Sequence, residues 1–417
     1  MEKLKGSLII GQSGGPTATI NASVLGCVEA ALRSDSVTKV YGAIHGIEGV
    51  LNDRLCDLTR EDPAELARIR NTPSAVLGSC RYKLADFLTD DTDCRRILDV
   101  FKKYDVRYFF YNGGNDSMDT CSKISAFLDR NGYACRVMGI PKTIDNDLAL
   151  TDHCPGYGSA AKYVATTCME VSLDAKVYGR GSVTVLEIMG RNAGWLTAAS
   201  ALARGQGLGP DLIYLPEVPF DIADFVEDVG RAYERQRDVV VAVSEGIRDK
   251  NDAYISSYFS DTSRDRDAFG HVQMGGLAVS LANFAHTKIK TKARRGIEFS
   301  LLQRCAAHIA SSTDIEESYM AGRAAFEAAE AGESDKMVAF ARPGGPVYRC
   351  ETTLVDLADV ANAEKKLPRE WINAAGNGLS QAFVDYALPL IQGETALEWA
   401  GGLPRFARPE RLLTRDV

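Results

Sequence analysis

The sequence predicts an α/β protein of two lobes, each a mainly parallel sheet flanked by helices, with a ligand cleft between them. Three observations lead there. Six short β-rich runs, at residues 8–10, 106–111, 137–140, 183–188, 211–215 and 239–243, read as strands buried on both faces, the pattern of a parallel sheet. Amphipathic helical stretches separate most of them, so the repeating unit is βα. The 417 residues also exceed what one hydrophobic core usually supports. Element order places the lobe boundary near residue 155.

In such folds ligands bind outside the carboxyl ends of the strands, where this chain concentrates glycine and polar residues. The first strand leads into Gly11-Gln12-Ser13-Gly14-Gly15-Pro16-Thr17, with a helix expected from near Thr19. Glycine lets backbone N–H groups approach an anion, and a helix N-terminus favours negative charge; a tight βα turn would use the same residues. Neither a GxGxxG nor a GxxxxGK[ST] pattern is present, which argues against a nicotinamide or P-loop site. Arg81, in Gly78-Ser79-Cys80-Arg81, reads on its own as an exposed loop cation. The next strand ends in Asn112-Gly113-Gly114-Asn115-Asp116-Ser117. Ser117 there is a candidate helix cap, while Asp116 would repel a further phosphate and so exclude a longer nucleotide donor.

The third strand delivers Pro141-Lys142-Thr143-Ile144-Asp145-Asn146-Asp147. An Asx turn is the structural alternative, but one cation beside two acids suits phosphoryl transfer. One acid would serve as base, one would bind a divalent cation, and the lysine would meet the transferring group. In the second lobe, Met189-Gly190-Arg191 and Ser244-Glu245-Gly246 follow two further strands. Residues 248–266 read as a charged exposed loop, a helix is expected over 273–287, and residues 288–310 read as a basic segment leading into a helix that contains Gln303 and Arg304. The cluster Lys288, Lys290, Lys292, Arg294 and Arg295 has the pattern of a solvated face. The Pro- and Gly-punctuated tail after Arg342 carries the least information.

Composition narrows the function. The chain is 45% hydrophobic and 25% charged, ordinary for a soluble globular protein. A net charge of -8 argues against nucleic acid or an anionic membrane as the main partner, since both select basic surfaces. Ten scattered cysteines without a CxxC pair fit free thiols in a reducing cytoplasm. No apolar run reaches the roughly 18 residues of a membrane span, and none resembles a signal peptide; a cytoplasmic, unanchored chain is expected. None of the five histidines has metal-ligand spacing to another, so packing or surface roles are expected.

Taken in order, the glycine turn at Gly14-Gly15, the segments 113–117 and 141–147, Met189-Gly190-Arg191 and Ser244-Glu245-Gly246 resemble the phosphofructokinase family, from about residue 6 to about residue 320. The resemblance implies two Rossmann-like lobes: residues 1–155 for the phosphoryl donor, 156–320 for the sugar phosphate, and 321–417 packing back on both. ATP-using members typically carry glycine where this chain has Asp116 and Lys142. That pair marks the pyrophosphate-dependent branch, and Gln303-Arg304 resembles its long bacterial members. The implied reaction is reversible transfer from pyrophosphate to the 1-hydroxyl of fructose 6-phosphate, with Mg²⁺, in glycolysis or gluconeogenesis, by a homo-oligomer (dimer or tetramer).

Carried over by motif, Gly14 and Gly15 would meet pyrophosphate, Asp145 would be the base, and Lys142 would stabilise the transition state. Arg81 would touch the transferring phosphate. Thr143, Met189, Gly190, Arg191 and Glu245 would hold the sugar phosphate, and Asp147 would help organise Mg²⁺. Two departures stand out. A metal-associated aspartate is Asn115 here, an uncharged oxygen donor. An arginine expected for the sugar 6-phosphate is Met274, in Gly270-His271-Val272-Gln273-Met274-Gly275-Gly276, and Arg295 or, preferably, Arg304 is expected to replace it. The family's cross-subunit arginine falls on Ser182, with Arg180 nearby as a substitute. Competing readings are an ATP-dependent enzyme, a different sugar phosphate such as sedoheptulose 7-phosphate, a non-catalytic regulatory subunit on the same fold, and a nicotinamide-dependent dehydrogenase.

Overall fold

The computed structural model describes residues 3–259, 276–361 and 363–414. All six expected runs are strands, and they are β1, β4, β5, β6, β7 and β8 of the series β1 (Gly6–Gln12), β2 (Val37–Ala43), β3 (Leu55–Asp57), β4 (Val106–Gly113), β5 (Arg136–Pro141), β6 (Ser182–Ile188), β7 (Leu212–Tyr214), β8 (Asp238–Ser244), β9 (Ala293–Glu298), β10 (Lys336–Ala341) and β11 (Glu351–Asp356). They form a seven-stranded sheet of order β11-β10-β5-β4-β1-β2-β3 and a four-stranded sheet of order β7-β8-β6-β9. The second is wholly parallel. The first is parallel from β10 to β2, with β3 and β11 as antiparallel edges.

Period-2 alternation sorts the apolar residues between two faces. Ile9, Phe109 and Val137 are paired across β1, β4 and β5 and share one buried cluster. Leu8, Ile10, Tyr108, Phe110, Met138 and Ile140 share the other. Helix Ser312–Ala331 covers this second face and lies against helix Ile20–Leu32. Their backbones approach so closely that a Cβ on Gly322 would sit 1.8 Å from the Ser23 carbonyl oxygen; only glycine fits there. The boundary expected at residue 320 therefore falls inside a helix of the first sheet, and β10 and β11 extend that same sheet. The reason is local: Met337, Val338, Ala339 and Phe340 form one more buried β-rich run.

Around the second sheet, Leu186, Ile188, Val240 and Ala242 face helix Tyr157–Lys176, while Val183, Val185, Val239 and Val241 face helices Ile222–Gln236 and Leu277–Ile289. The last begins at Leu277 and ends at Ile289, against the helix expected over 273–287. The basic segment expected near 288–295 contains an element that sequence reading missed. It is β9, an edge strand with Ala293, Arg294 and Arg295 exposed, and charge is how such an edge avoids further pairing. The expected helix around Gln303 is a single turn, Leu302–Cys305. Among the described residues, no helix is long and apolar enough to cross a membrane.

Topology then fixes where ligands go. In the first sheet β1 has β2 on one side and β4 on the other; in the second β6 lies between β8 and β9. Chain connections leave in opposite directions at these points, opening a crevice beyond the strands' carboxyl ends.

Candidate active site

Both crevices open into one cavity of about 560 Å³. Its walls are Ser13 to Pro16 after β1, Arg81, Gly114 to Ser117 after β4, Lys142 to Asp145 with Asp147 after β5, Met189 and Arg191 to Ala193 after β6, Glu245 after β8, and Arg304, Ala363 and Glu364. Strand-end residues from both sheets thus meet.

The glycine turn works differently from the sequence expectation. Gly14 has φ 75°, a left-handed conformation suited to glycine, but its N–H is engaged by the Cys80 carbonyl at 3.0 Å rather than free for an anion. What the turn supplies is room. A Cβ on Gly14 would stand 3.3 Å from Lys142 Nζ, and one on Gly15 would stand 2.9 Å from Arg304 Nη1. Lys142 is 3% exposed; its backbone N–H bonds Gly113 O at 3.0 Å and its ammonium donates to Gly15 O at 2.8 Å. Burial pulls the lysine down to about 8 against the opposing pull of the Asp145 carboxylate, with Arg304 and Arg81 adding to the depression.

Carboxylates gather beside these cations. Burial raises Asp145 above the ordinary carboxylate range, while Arg191 and Lys142 pull it back. Asp147 is pushed up to about 7 by burial and then by Asp145 and Glu364, and Glu245 to about 7 by burial and then by Asp145. Between the two aspartates, Asn146 adopts φ 55° and is fully buried. Its side chain donates to Tyr386 OH at 2.8 Å and accepts from Cys154 N–H at 2.9 Å. That turn leaves Asp145 and Asp147 lining the cavity on either side of it. Asn115 Oδ1, also on the cavity wall, is buried with no hydrogen-bond partner among the described residues. With the aspartates and Glu364 it offers oxygen donors of the kind a hard divalent cation takes.

On the second sheet, Gly190 has φ 135° and lies beneath the wall between Met189 and Arg191, its carbonyl accepting from Ser244 Oγ. Gly246 passes so near Arg191 that a Cβ would meet the Arg191 carbonyl oxygen at 1.9 Å. Met189 N–H donates to Gln303 Oε1 at 3.2 Å, which couples the turn carrying Arg304 to the end of β6.

Of the two arginines expected to replace the missing one, Arg304 is on the cavity wall and Arg295 is not. Arg295 sits on β9, half exposed and paired with Asp174, so the expectation that it binds substrate is corrected for this chain's own cavity. Arg180 precedes the amino end of β6 and is exposed, away from the strand's cavity end. Residues 260–275, including His271 and Met274, lie outside the described residues.

The sequence reading assigned nothing to Ala363 and Glu364. They reach the cavity because the tail bridges Leu148 to Glu364 and Lys365 N–H bonds Asp147 O at 2.7 Å. No motif or strand end signals this approach. Ser13 lies within the glycine turn and Asn192 directly follows Met189-Gly190-Arg191, so position alone would have flagged both.

The family profile for phosphofructokinase matches residues 7–297. The pyrophosphate–fructose 6-phosphate 1-phosphotransferase of Halomonas elongata is 43% identical over 401 residues, covering 95% of this chain and 94% of that one. The enzyme of the same name from Methylococcus capsulatus is 42% identical over 399 residues, covering 95% and 94%. A crystal structure of the pyrophosphate-dependent phosphofructokinase from Nitrosospira multiformis superposes with a TM-score of 0.88 at 36% identity, covering 98% of each chain. The chain is a member of the phosphofructokinase family.

Proposed function

We propose that the protein reversibly transfers a phosphoryl group from pyrophosphate to the 1-hydroxyl of fructose 6-phosphate, giving fructose 1,6-bisphosphate and phosphate. The observation that carries this reading is the buried Lys142 ammonium sharing one cavity with the Asp145 carboxylate and with Asp116. Relatives of that name align over nearly the whole chain.

Asp145 accepts the proton of the 1-hydroxyl as its oxygen bonds to the phosphorus and the P–O bond of pyrophosphate breaks. In reverse it returns the proton. Its raised pKa brings the base nearer the operating pH, where general catalysis is most effective. Lys142 and Arg81 offset the charge on the transferring group. Bare glycines at 14 and 15 leave room for Lys142 and for Arg304. Asp116 closes the donor site against a nucleotide. Thr143, Met189, Arg191, Glu245 and Arg304 hold the sugar phosphate, with Gly190 shaping the turn that presents them. Asn115, whose buried oxygen lacks a partner among the described residues, and Asp147 are the residues that would hold Mg²⁺. When bound, Mg²⁺ offsets negative charge on phosphate oxygens.

A homo-oligomer in the cytoplasm, acting in glycolysis or gluconeogenesis, completes the reading. Steady-state rates on purified protein with fructose 6-phosphate and Mg²⁺, given pyrophosphate or ATP, test it. Fructose 1,6-bisphosphate is expected with pyrophosphate. Turnover only with ATP, or none with either donor, would refute it.

A further inference from the structure

A second cluster of ligand-bearing side chains lies apart from the cavity. His153, Glu317 and Cys350 each place one donor atom within 4.8 Å of the others. They come from three distant segments: the connection leading into helix Tyr157–Lys176, helix Ser312–Ala331, and the tail just before β11. His153 and Glu317 are buried and Cys350 is half-buried. We propose that these three residues bind a borderline divalent cation of the zinc type.

The surroundings are built to present the ligands. His153 Nδ1 lies 2.8 Å from Asp152 Oδ1, and Arg342 Nη2 donates to that same oxygen at 2.9 Å. A carboxylate holding Nδ1–H turns Nε2 outward as the metal-binding nitrogen, the usual outer support of a zinc histidine. Tyr348 OH donates to Glu317 Oε1 at 2.6 Å, leaving Oε2 directed at His153 Nε2, 2.8 Å away. Phe340 covers the imidazole, its ring centroid 4.8 Å from that of His153.

Without a cation, an imidazolium between two carboxylates satisfies the cluster. Binding replaces the Nε2 proton and the thiol proton, releasing both to solvent. At zinc bond lengths and tetrahedral angles the donor atoms stand about 3.4–3.6 Å apart, so binding must open the Nε2–Oε2 pair from 2.8 Å and close any pair near the 4.8 Å limit. Imidazole and thiolate select a zinc-like ion over Mg²⁺, and three protein ligands leave a fourth position for water. Such a cation would clamp the tail onto the segment that follows the catalytic loop. Asp314 already pins that segment by accepting from Gly156 N–H and Ser159 N–H, each at 2.8 Å.

Chelator-dialysed full-length protein titrated with Zn²⁺, and separately with Co²⁺ as a spectroscopic stand-in, tests the site. One equivalent of Zn²⁺ per chain, a thiolate-to-cobalt charge-transfer band and a higher melting temperature with Zn²⁺ are expected. Mg²⁺, which the cavity oxygen donors would take, should neither displace this Zn²⁺ equivalent nor quench the cobalt band. Cys350→Ser, conservative in size, should keep the metal-free melting temperature but lose the band and bind Zn²⁺ at least about tenfold more weakly. Tyr348→Phe should retain the band with about tenfold weaker binding, the scale of an outer-support loss. No charge-transfer band in the wild type, or equal Zn²⁺ uptake by Cys350→Ser, would overturn the proposal.

Discussion

The two walls of the cavity are made in different ways. The wall on the first sheet is assembled from strand-end turns whose backbones bond directly: Ser13 N–H bonds Asn112 O at 2.9 Å, Gly14 N–H bonds Cys80 O, and Lys142 N–H bonds Gly113 O. Its cations sit against backbone and bare glycine. The wall on the second sheet begins in the same manner, with Met189, Arg191 and Glu245 at strand ends. It is then completed by remote chain, with Arg304 held through Gln303, whereas the tail that brings Glu364 joins the first wall, at Asp147 and Leu148 after β5. Chemistry placed by one strand and its following turn is robust to the rest of the fold. Arg304 is the second-wall contact that depends on such a remote segment.

If the first wall carries the chemistry, its substitutions should act on turnover. Asp145→Asn should lower kcat by about 10³-fold, within the usual reach of a general base. A residual rate within tenfold of wild type would assign the proton to another group.

Lys142→Met should cost about 10²- to 10³-fold in kcat, the scale of one preorganised electrostatic contact. The lysine also predicts a pH profile. Its depressed pKa means the ammonium is present below about 8 and lost above it, so kcat/KM for pyrophosphate should fall as pH rises through about 8. Burial raises the base Asp145 above the ordinary carboxylate range and Glu245 to about 7, so their protonation as pH falls gives the acid limb. Lys142→Arg should remove the alkaline limb even if turnover is poor; its persistence would dissociate that limb from Lys142.

On the second wall the effect should move to affinity. Arg304→Ala should raise KM for fructose 6-phosphate by roughly 10- to 100-fold, the worth of a charged hydrogen bond, with a smaller change in kcat. Unchanged KM would remove Arg304 from the site. The smallest effect is expected at Arg295→Ala, under about twofold in either constant, because an exposed ion pair on an edge strand contributes little. A large loss there would return Arg295 to the substrate site through another copy of the chain.

The same contrast explains what the sequence could and could not disclose. Lys142, Asp145, Arg191 and Glu245 were legible because each follows a buried run directly, and a parallel sheet sends all such positions to one edge. Arg295 and Arg304 lie nine residues apart in one basic stretch, and only the fold separates an edge strand from a turn on the cavity. Glu364 carried no local sign, since a tail without strand or motif approaches by a single bridge to Leu148. His153, Glu317 and Cys350 were unreadable as a cluster for a related reason: their spacing is set by tertiary packing, not by a helical or strand period. Strand β9 was hidden because its exposed basic residues lack the apolar pattern of a buried strand.

Asp116 and Lys142 together are proposed to decide the phosphoryl donor. The direct measurement is kcat/KM for pyrophosphate and for ATP, with saturating fructose 6-phosphate and Mg²⁺, in wild type and in the double variant Asp116→Gly/Lys142→Gly. Wild type should prefer pyrophosphate by at least about 100-fold, a discrimination that a closed, charge-mismatched site can reach, and the double variant should lose pyrophosphate activity while gaining measurable use of ATP. Comparable use of both donors by wild type would contradict the account.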